Sequence, residues 1–407
     1  MAGPLSHIKV LDLSRVLAAP WTGQNLADLG AEVIKVERPR KGDDSRAFGP
    51  PWLKAQDGTD TTESAYFLAA NRGKKSITID LSTPRGQDLV RELAMHCDVL
   101  LENYKFGDLA RYRLGYDDLK TIHPPLVYCS VTGFGHTGPY RERPGYDFMI
   151  QGMGGLMSIT GERDDLPGGG PQRVGVPIVD IMTGMYATIA VCAALAHREK
   201  SGIGQHLDLA LLDTQVAFLA TQAMNYLASG EVPGRLGNAH PNIVPYQTFS
   251  TRDGAIILAC GNDNLFKRFC DVAGCQHLAR DPLFATNDKR VENRAELVPL
   301  LSAIFAQRTT HEWVETLEGA GVPNGPINNI QQVFEEPQVI ARGMKIALDH
   351  PLAGTAPLVA SPMRFSATPL EFKAPPPTLG QHTDEILRGM LGMSAADIAQ
   401  LRADGIV

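Results

Sequence analysis

Asp180 is the carboxylate in this chain best placed to do chemistry. The apolar run Pro177-Ile178-Val179 precedes it and a long helical pattern reaching Lys200 follows, which places it as the N-cap of a helix beginning at Ile181. The same position favours the ionised form through the helix dipole. A desolvated, ionised carboxylate is a workable nucleophile toward an activated acyl group. Residue type and spacing leave cap and nucleophile both open. Three groups of basic residues come next: Lys35, Arg38, Arg40 and Lys41; Arg72, Lys74 and Lys75; Lys105, Arg111 and Arg113. Each group adjoins a strand-like run, and cations at strand ends suit a ligand carrying several phosphates. A solvated surface face is the plainer reading of the same groups.

Other motifs carry less. Gly133-Phe134-Gly135-His136-Thr137-Gly138 matches the spacing of a dinucleotide fingerprint after a strand. That fingerprint needs a helix opening at its last glycine, whereas Pro139 to Pro144 continues as loop. It is read as a glycine loop whose backbone can approach a ligand closely. The cysteines Cys97, Cys129, Cys192, Cys260, Cys270 and Cys275 include no CxxC pair, and the histidines have no paired-ligand spacing. No metal, no disulfide framework and a reduced, cytoplasmic setting are expected. There is no GxSxG elbow to support a serine mechanism.

The elements that must position these residues alternate. Strand-like runs occur at Ile8–Leu13, Glu32–Val36, Ser76–Leu81, Asp98–Glu102 and Leu126–Val131, with helical patterns between them at Ala18–Leu29 and from Pro84. Such alternation predicts a parallel sheet covered on both faces, with ligands outside the carboxyl ends of its strands. Another helix follows Asp213 as far as Leu227. A second compact region spans about Ile243 to Pro326, and a proline-rich stretch from Pro351 to Pro377 leads to a last helix at Thr383–Leu391. The chain has 407 residues, 43% hydrophobic and 20% charged, with 38 basic and 45 acidic side chains for a net charge of −7. That is a globular balance with room for more than one domain. Its acidity argues against nucleic acid or an anionic membrane as partner. The start shows no secretory signal, and Ile181–Ala196 is read as a buried helix too short to span a membrane.

Taken together, Val10–Pro20, Leu29–Glu37, Asn71–Ser76, Asp98–Asn103, Pro144–Asp147, Val179-Asp180 and Gly380–Thr383 resemble, in order and spacing, the class III CoA-transferases of the formyl-CoA and carnitine type. The resemblance covers essentially the whole length. It implies that Asp180 is a carboxylate nucleophile and that coenzyme A, bound as substrate with no tightly held cofactor, contacts Leu17, Ala18, Arg38, Ile79, Asp80, Leu81, Ser82, Asn103, Tyr104, Lys105, Arg111, Pro144, Gly145, Tyr146 and Asp147. It further implies an α/β fold: a Rossmann-like large domain over residues 1–215, rejoined by 335–407, a smaller α+β domain over 230–330, and an interlocked homodimer. Gly237–Gln247 and Gly321–Asn329 are similar to succinyl-CoA:glutarate CoA-transferases, and the glycine run of the oxalate-using members is missing. The implied reaction moves CoA from a donor such as succinyl-CoA to a dicarboxylic acid such as glutarate through an aspartyl anhydride and an aspartyl-CoA thioester. Arg15, Asn238 and His240 are candidates to hold the acceptor's distal carboxylate.

Three alternatives remain at this point. The same family contains 2-methylacyl-CoA racemases, whose acid/base histidine falls where this chain has Tyr146, and a phenol is a poor proton shuttle at neutral pH. A nicotinamide-dependent oxidoreductase would rest on the glycine motif at Gly133. A non-catalytic acyl-CoA binder would keep the basic groups without using Asp180.

Overall fold

The computed structural model describes residues 3–407. The chain divides into two units. The first takes the chain up to Gly155, with Val174–Met224 and Pro337–Val407; the second takes Leu156–Arg173 and Asn225–Glu336. Leu156–Arg173 thus groups with the second unit, whereas the sequence reading runs the large domain unbroken to residue 215.

Six parallel strands form the sheet of the first unit: β1 (Lys9–Asp12), β2 (Glu32–Glu37), β3 (Lys74–Thr78), β4 (Val99–Glu102), β5 (Val127–Thr132) and β6 (His206–Ala210). Their order is β3-β2-β1-β4-β5-β6, that of doubly wound nucleotide-binding sheets, in which the order reverses between β1 and β4. The strands read as near-continuous Val, Ile and Leu because both faces are covered: Val10, Leu11, Val99, Leu100 and Leu101 are all inaccessible. On one face pack α1 (Ala18–Asp28) and, later in the chain, α4 (Ile178–Ser201), joining a core with Val10, Val33, Val127 and Cys129. On the other face lie α2 (Pro84–Ala94), which has Pro84 at its first position behind the Thr83 cap, and the C-terminal helices α10 (Thr383–Leu391) and α11 (Ala395–Ala403). The C-terminal segment is bound into this sheet: His382 N–H donates to the Ser76 carbonyl at 2.8 Å and Asp80 N–H to the Ile406 carbonyl at 2.8 Å.

Two expectations change. Helix α4 begins at Ile178, three residues earlier than predicted, and runs 24 residues. It is long and apolar enough to cross a membrane by length and composition, with a mean hydropathy of 1.8 over its most apolar window. It is only half buried: Val179, Gly184, Ala187, Val191 and Leu195 face the core, while Ile189 is 61% exposed. The predicted helix from Asp213 to Leu227 is two helices, α5 (Leu211–Phe218) and α6 (Ala220–Ser229). Ala220 at φ +45° stands at their junction, a conformation a helix interior does not accommodate.

The second unit has its own core. A three-stranded antiparallel sheet, β7 (Tyr246–Ser250), β8 (Ala255–Ala259) and β9 (Asn324–Pro326), packs on α7 (Asp263–Ala273), α8 (Arg294–Phe305) and α9 (Thr310–Gly319). Phe249, Phe269, Phe305 and Trp313 stack through its centre. The stretch Pro351–Pro377, expected to run extended, begins inside a hairpin pairing Lys345–His350 with Gly354–Val359 in the first unit.

Candidate active site

Two features stand at the carboxyl edge of the six-stranded sheet. The first is a cleft of about 640 Å³ lined by Arg15, Arg38, Ile79, Asp80, Leu81, Ser82, Tyr104 and Tyr112, above Ser14, Lys35, Glu37 and Asp43. It lies beyond the ends of β1, β2, β3 and β4, around the point where strand order reverses. Six positions expected to contact coenzyme A are on its wall. Arg15 and Arg38 both turn to the single carboxylate of Asp44, and Asp80 stands on the same wall.

Beneath the cleft is a buried charge lattice that takes in Lys35, Arg72 and Lys74 from the basic groups, together with Arg46. Lys35 is fully buried, pairs with Asp43 at 2.8 Å and donates to the Ser14 carbonyl at 2.8 Å. Lys74, also fully buried, donates to Asp12 at 2.9 Å, the Pro20 carbonyl at 2.9 Å and Asn71 at 3.0 Å; burial pushes its amine down to about 8. Arg72 closes on Asp28 through Nε at 3.0 Å and Nη2 at 2.6 Å. Arg46 closes on Glu37 and Glu63. These cations cannot serve a phosphate. They hold the loops that form the cleft, since an unpaired charge at such depth would be costly.

Asp43 shows what the lattice positions. It accepts from Ser45 N–H at 2.9 Å and from Val16 N–H at 3.1 Å, and Lys35 holds its carboxyl far below the usual range despite burial. Val16 has φ +70°, a genuine outlier for a β-branched residue. Asn103 completes the clamp by accepting from Arg15 N–H at 2.8 Å and donating to the Arg15 carbonyl at 2.7 Å. The Asn103 side chain is therefore committed to the protein. Val16 delivers the chain into α1, whose start, Leu17-Ala18, is buried. Nothing in the sequence marks this strain.

The second feature is Asp180. It lies in the first turn of α4, not at its cap; Pro177 holds the cap position and supplies no side-chain bond. The capping is done from elsewhere. Asp147, buried at the start of α3 (Asp147–Met153), accepts from Val179 N–H at 2.7 Å and, through its other oxygen, from Gln151 Nε2 at 2.6 Å. Asp180 is thus spared the cap and left beside a second carboxylate. Burial, then the Asp147 charge, push its carboxyl up to about 7, as expected for a desolvated acid with a like neighbour. One turn on, a Cβ at Gly184 would lie 2.5 Å from the Ala18 carbonyl oxygen. Only glycine permits α4 and α1 to cross so closely, and the turn bearing Asp180 is thereby held against the start of α1. Tyr66, on the short helix Ala65–Ala70, has its phenol pushed up to about 12 by burial and by the Asp180 and Asp147 charges. It therefore stays protonated at neutral pH. Sequence reasoning missed Tyr66, and no pattern around it would have revealed it.

The remaining expected positions divide. Gly145 crosses Gly133 so closely that a Cβ on either would lie within 2.5 Å of the other's backbone, so the first glycine of the 133–138 motif serves that crossing. No helix opens at Gly138, which removes the structural context of a dinucleotide fingerprint. Tyr146 is 71% exposed. Lys105 is exposed in the loop after β4, and Arg111 is paired with Asp108. Arg15 belongs to the first unit's cleft, whereas Asn238 lines a separate cleft within the second unit. His240 accepts Asn242 N–H at 3.0 Å within its own loop. Of the three candidates for the distal carboxylate, Arg15 thus lies in the first unit and Asn238 and His240 in the second. Among the described residues no cluster of His, Cys, Asp and Glu has the arrangement of a metal site.

Residues 5–383 match the model of CoA-transferase family III. The chain belongs to that family. A succinate–glutarate CoA-transferase of Agrobacterium fabrum is 49% identical over 384 residues, covering 94% of this chain and 95% of its own length. The human succinyl-CoA:glutarate CoA-transferase is 44% identical over 404 residues, 99% of this chain and 90% of its own. Among solved structures, a CAIB/BAIF family protein from Brucella suis superposes with a TM-score of 0.83 at 50% identity, covering 96% of this chain and all of that one.

Proposed function

We propose that the chain transfers CoA from succinyl-CoA to glutarate, with Asp180 as the nucleophile. The observation that carries the role of Asp180 is its release from capping by Asp147, beside the start of α1; near-full-length relatives named for this reaction support the substrates. Asp180 Oδ attacks the succinyl thioester carbonyl, the C–S bond breaks, and CoA leaves as thiolate from a mixed anhydride. The thiolate then attacks the Asp180 acyl carbon, releasing succinate and leaving an aspartyl-CoA thioester. A glutarate carboxylate attacks that thioester and expels the thiolate, which finally takes the glutaryl group and returns the Asp180 carboxylate. No net proton is consumed. Anhydrides survive only where water is excluded, and Tyr66 O–H is the side-chain donor we assign to the developing oxyanion. Coenzyme A occupies the cleft of the first unit, with Arg38 and Arg15 toward its phosphates and Ile79, Leu81 and Tyr104 against its apolar parts.

The active form is a homodimer in this reading, interlocked as in the family. Apolar residues left exposed on the helices support it: Tyr186 and Ile189 on α4, Val216 on α5, and Met224 and Leu227 on α6. A monomer rarely leaves so much apolar surface uncovered. The test of the reaction is an acceptor panel with succinyl-CoA, reading new acyl-CoA species by mass. Glutaryl-CoA formation that is abolished in Asp180→Asn supports both parts. Silence with every dicarboxylate sinks the substrate assignment.

A further inference from the structure

Glu102 closes β4, two residues before Tyr104 on the wall of the first unit's cleft, and the proposed mechanism makes no use of it. The side chain is buried. Its carboxylate accepts Tyr104 N–H at 2.8 Å, and Ser130, opposite it in register on β5, donates to it as well. Unlike Glu37 and Asp43, it has no ion-pair partner among the described residues. Burial pushes its carboxyl up to about 7, and the charges of Asp208 and Asp108 add to the rise. The nearby Tyr104 and Tyr128 phenols and the Cys129 thiol are themselves pushed up by burial and stay neutral. Beyond Tyr104 stand the cations Arg15, Lys35 and Arg38.

Ser130 Oγ also lies 2.9 Å from His206 Nε2 on β6. A hydroxyl has one proton to donate, so the chain of three has two arrangements. With Glu102 ionised, Ser130 donates to it and His206 Nε2–H donates to Ser130. With Glu102 protonated, its O–H donates to Ser130 Oγ and the Ser130 O–H donates to a bare Nε2. The His206 ring stacks on Tyr116 at 5.2 Å and lies 4.9 Å from the His136 ring. Burial and that second imidazole hold it below the usual range, while Asp208 and Asp117 pull the other way.

The residues that follow Glu102 form the cleft. Asn103 clamps the Arg15 backbone, and the Arg15 guanidinium lies over the Tyr104 ring at 5.0 Å. An ionised carboxylate is a stronger acceptor than a neutral acid, so ionised Glu102 grips the Tyr104 N–H harder. We propose that Glu102 is a positioning residue for coenzyme A, its carboxylate fixing Tyr104, and Arg15 upon it, at the cleft wall. The assignment rests on the proposed placement of coenzyme A in this cleft.

The test is calorimetric titration of free coenzyme A into the full-length Asp180→Asn protein from about pH 5.5 to about pH 8.5. That background removes the titration of Asp180. Affinity should fall as pH drops through about 7, where Glu102 takes up its proton. Adding Glu102→Gln, which is isosteric and keeps an acceptor for Tyr104 N–H, should hold affinity at its acid-side value, about fivefold weaker on the alkaline side. The ligand's own phosphate, ionising near about 6, contributes equally to both proteins, so the difference between their curves is the readout. Ser130→Ala, in the same background, removes a donor to the ionised form and should move the midpoint to higher pH. Coincident curves with and without Glu102→Gln overturn the assignment, and a midpoint unmoved by Ser130→Ala gives the titration to another group and overturns it too. Arg38→Ala keeps the two claims apart. If it weakens binding and Glu102→Gln does not, only the role of Glu102 falls; if neither weakens binding, coenzyme A is not in this cleft and both readings fall.

Discussion

The floor of the first unit's cleft and the cleft of the second unit use cations in opposite ways. Under the first, Lys35, Lys74 and Arg46 are each matched to carboxylates and wholly or nearly buried. In the second, Arg294 meets carbonyls alone and keeps contact with the cleft. The contrast recurs one helical turn apart in sequence. Arg290 is fully buried, bound to Asp263 at 2.8 Å and to the Val244 and Phe284 carbonyls, while Arg294 has no acid. A cation whose charge is answered within the protein builds structure; one left unanswered beside a cavity is available to an anion.

The largest effects should come from breaking the answered set. Lys74→Met or Arg290→Met strands a buried carboxylate or removes an anchor of its loop, and each should cost about 3–5 kcal/mol in urea denaturation. Arg294→Gln should leave the denaturation midpoint nearly unchanged, because its guanidinium is not part of a buried ion pair. A large loss there would erase the contrast. At the first cleft, Arg38→Ala should raise the KM for succinyl-CoA by roughly tenfold, with the penalty shrinking at high salt.

The carboxylate pair gives a pH prediction. With the Asp180 carboxyl near 7 in the free chain, kcat/KM for succinyl-CoA should rise with pH below about 7 and level above it, as more of the nucleophile is ionised. Asp147→Asn keeps an acceptor for Val179 N–H but removes the neighbouring charge, so the rise should move to lower pH. The same shift bears on stability. A carboxyl raised from 3.8 to about 7 contributes stability present below about 4 and lost as pH rises through 7. Asp180→Asn should therefore be more stable than wild type at pH 8 and about equal at pH 4 by thermal melting.

Much of the first unit was legible because both faces of its sheet are covered: runs such as Val10–Leu13 and Val127–Val131 admit few readings other than buried parallel strands. The helix at Thr383–Leu391 was legible too, bounded by the Gly392 stop, but it is not the last: α11 follows it at Ala395–Ala403. Asp180 stood out through its position before an apolar helix, yet its cap came from Asp147, a partner 33 residues away that no local pattern announces. The basic groups misled for the same reason. Lys35 sits between Ile34 and Val36 and Lys74 in a polar, basic run, and only the fold brings Asp43 and Asp12 to them. Arg294 went unnoticed because its significance is a missing partner, which sequence cannot display.

The reaction turns on a covalent bond to Asp180. Incubating the protein with succinyl-CoA without acceptor, digesting it and measuring peptide masses should find CoA or succinyl mass on the peptide containing Asp180. Adding glutarate should remove that mass as glutaryl-CoA appears. An unmodified Asp180 peptide in a preparation that still turns over, or the same mass on another residue, would contradict it.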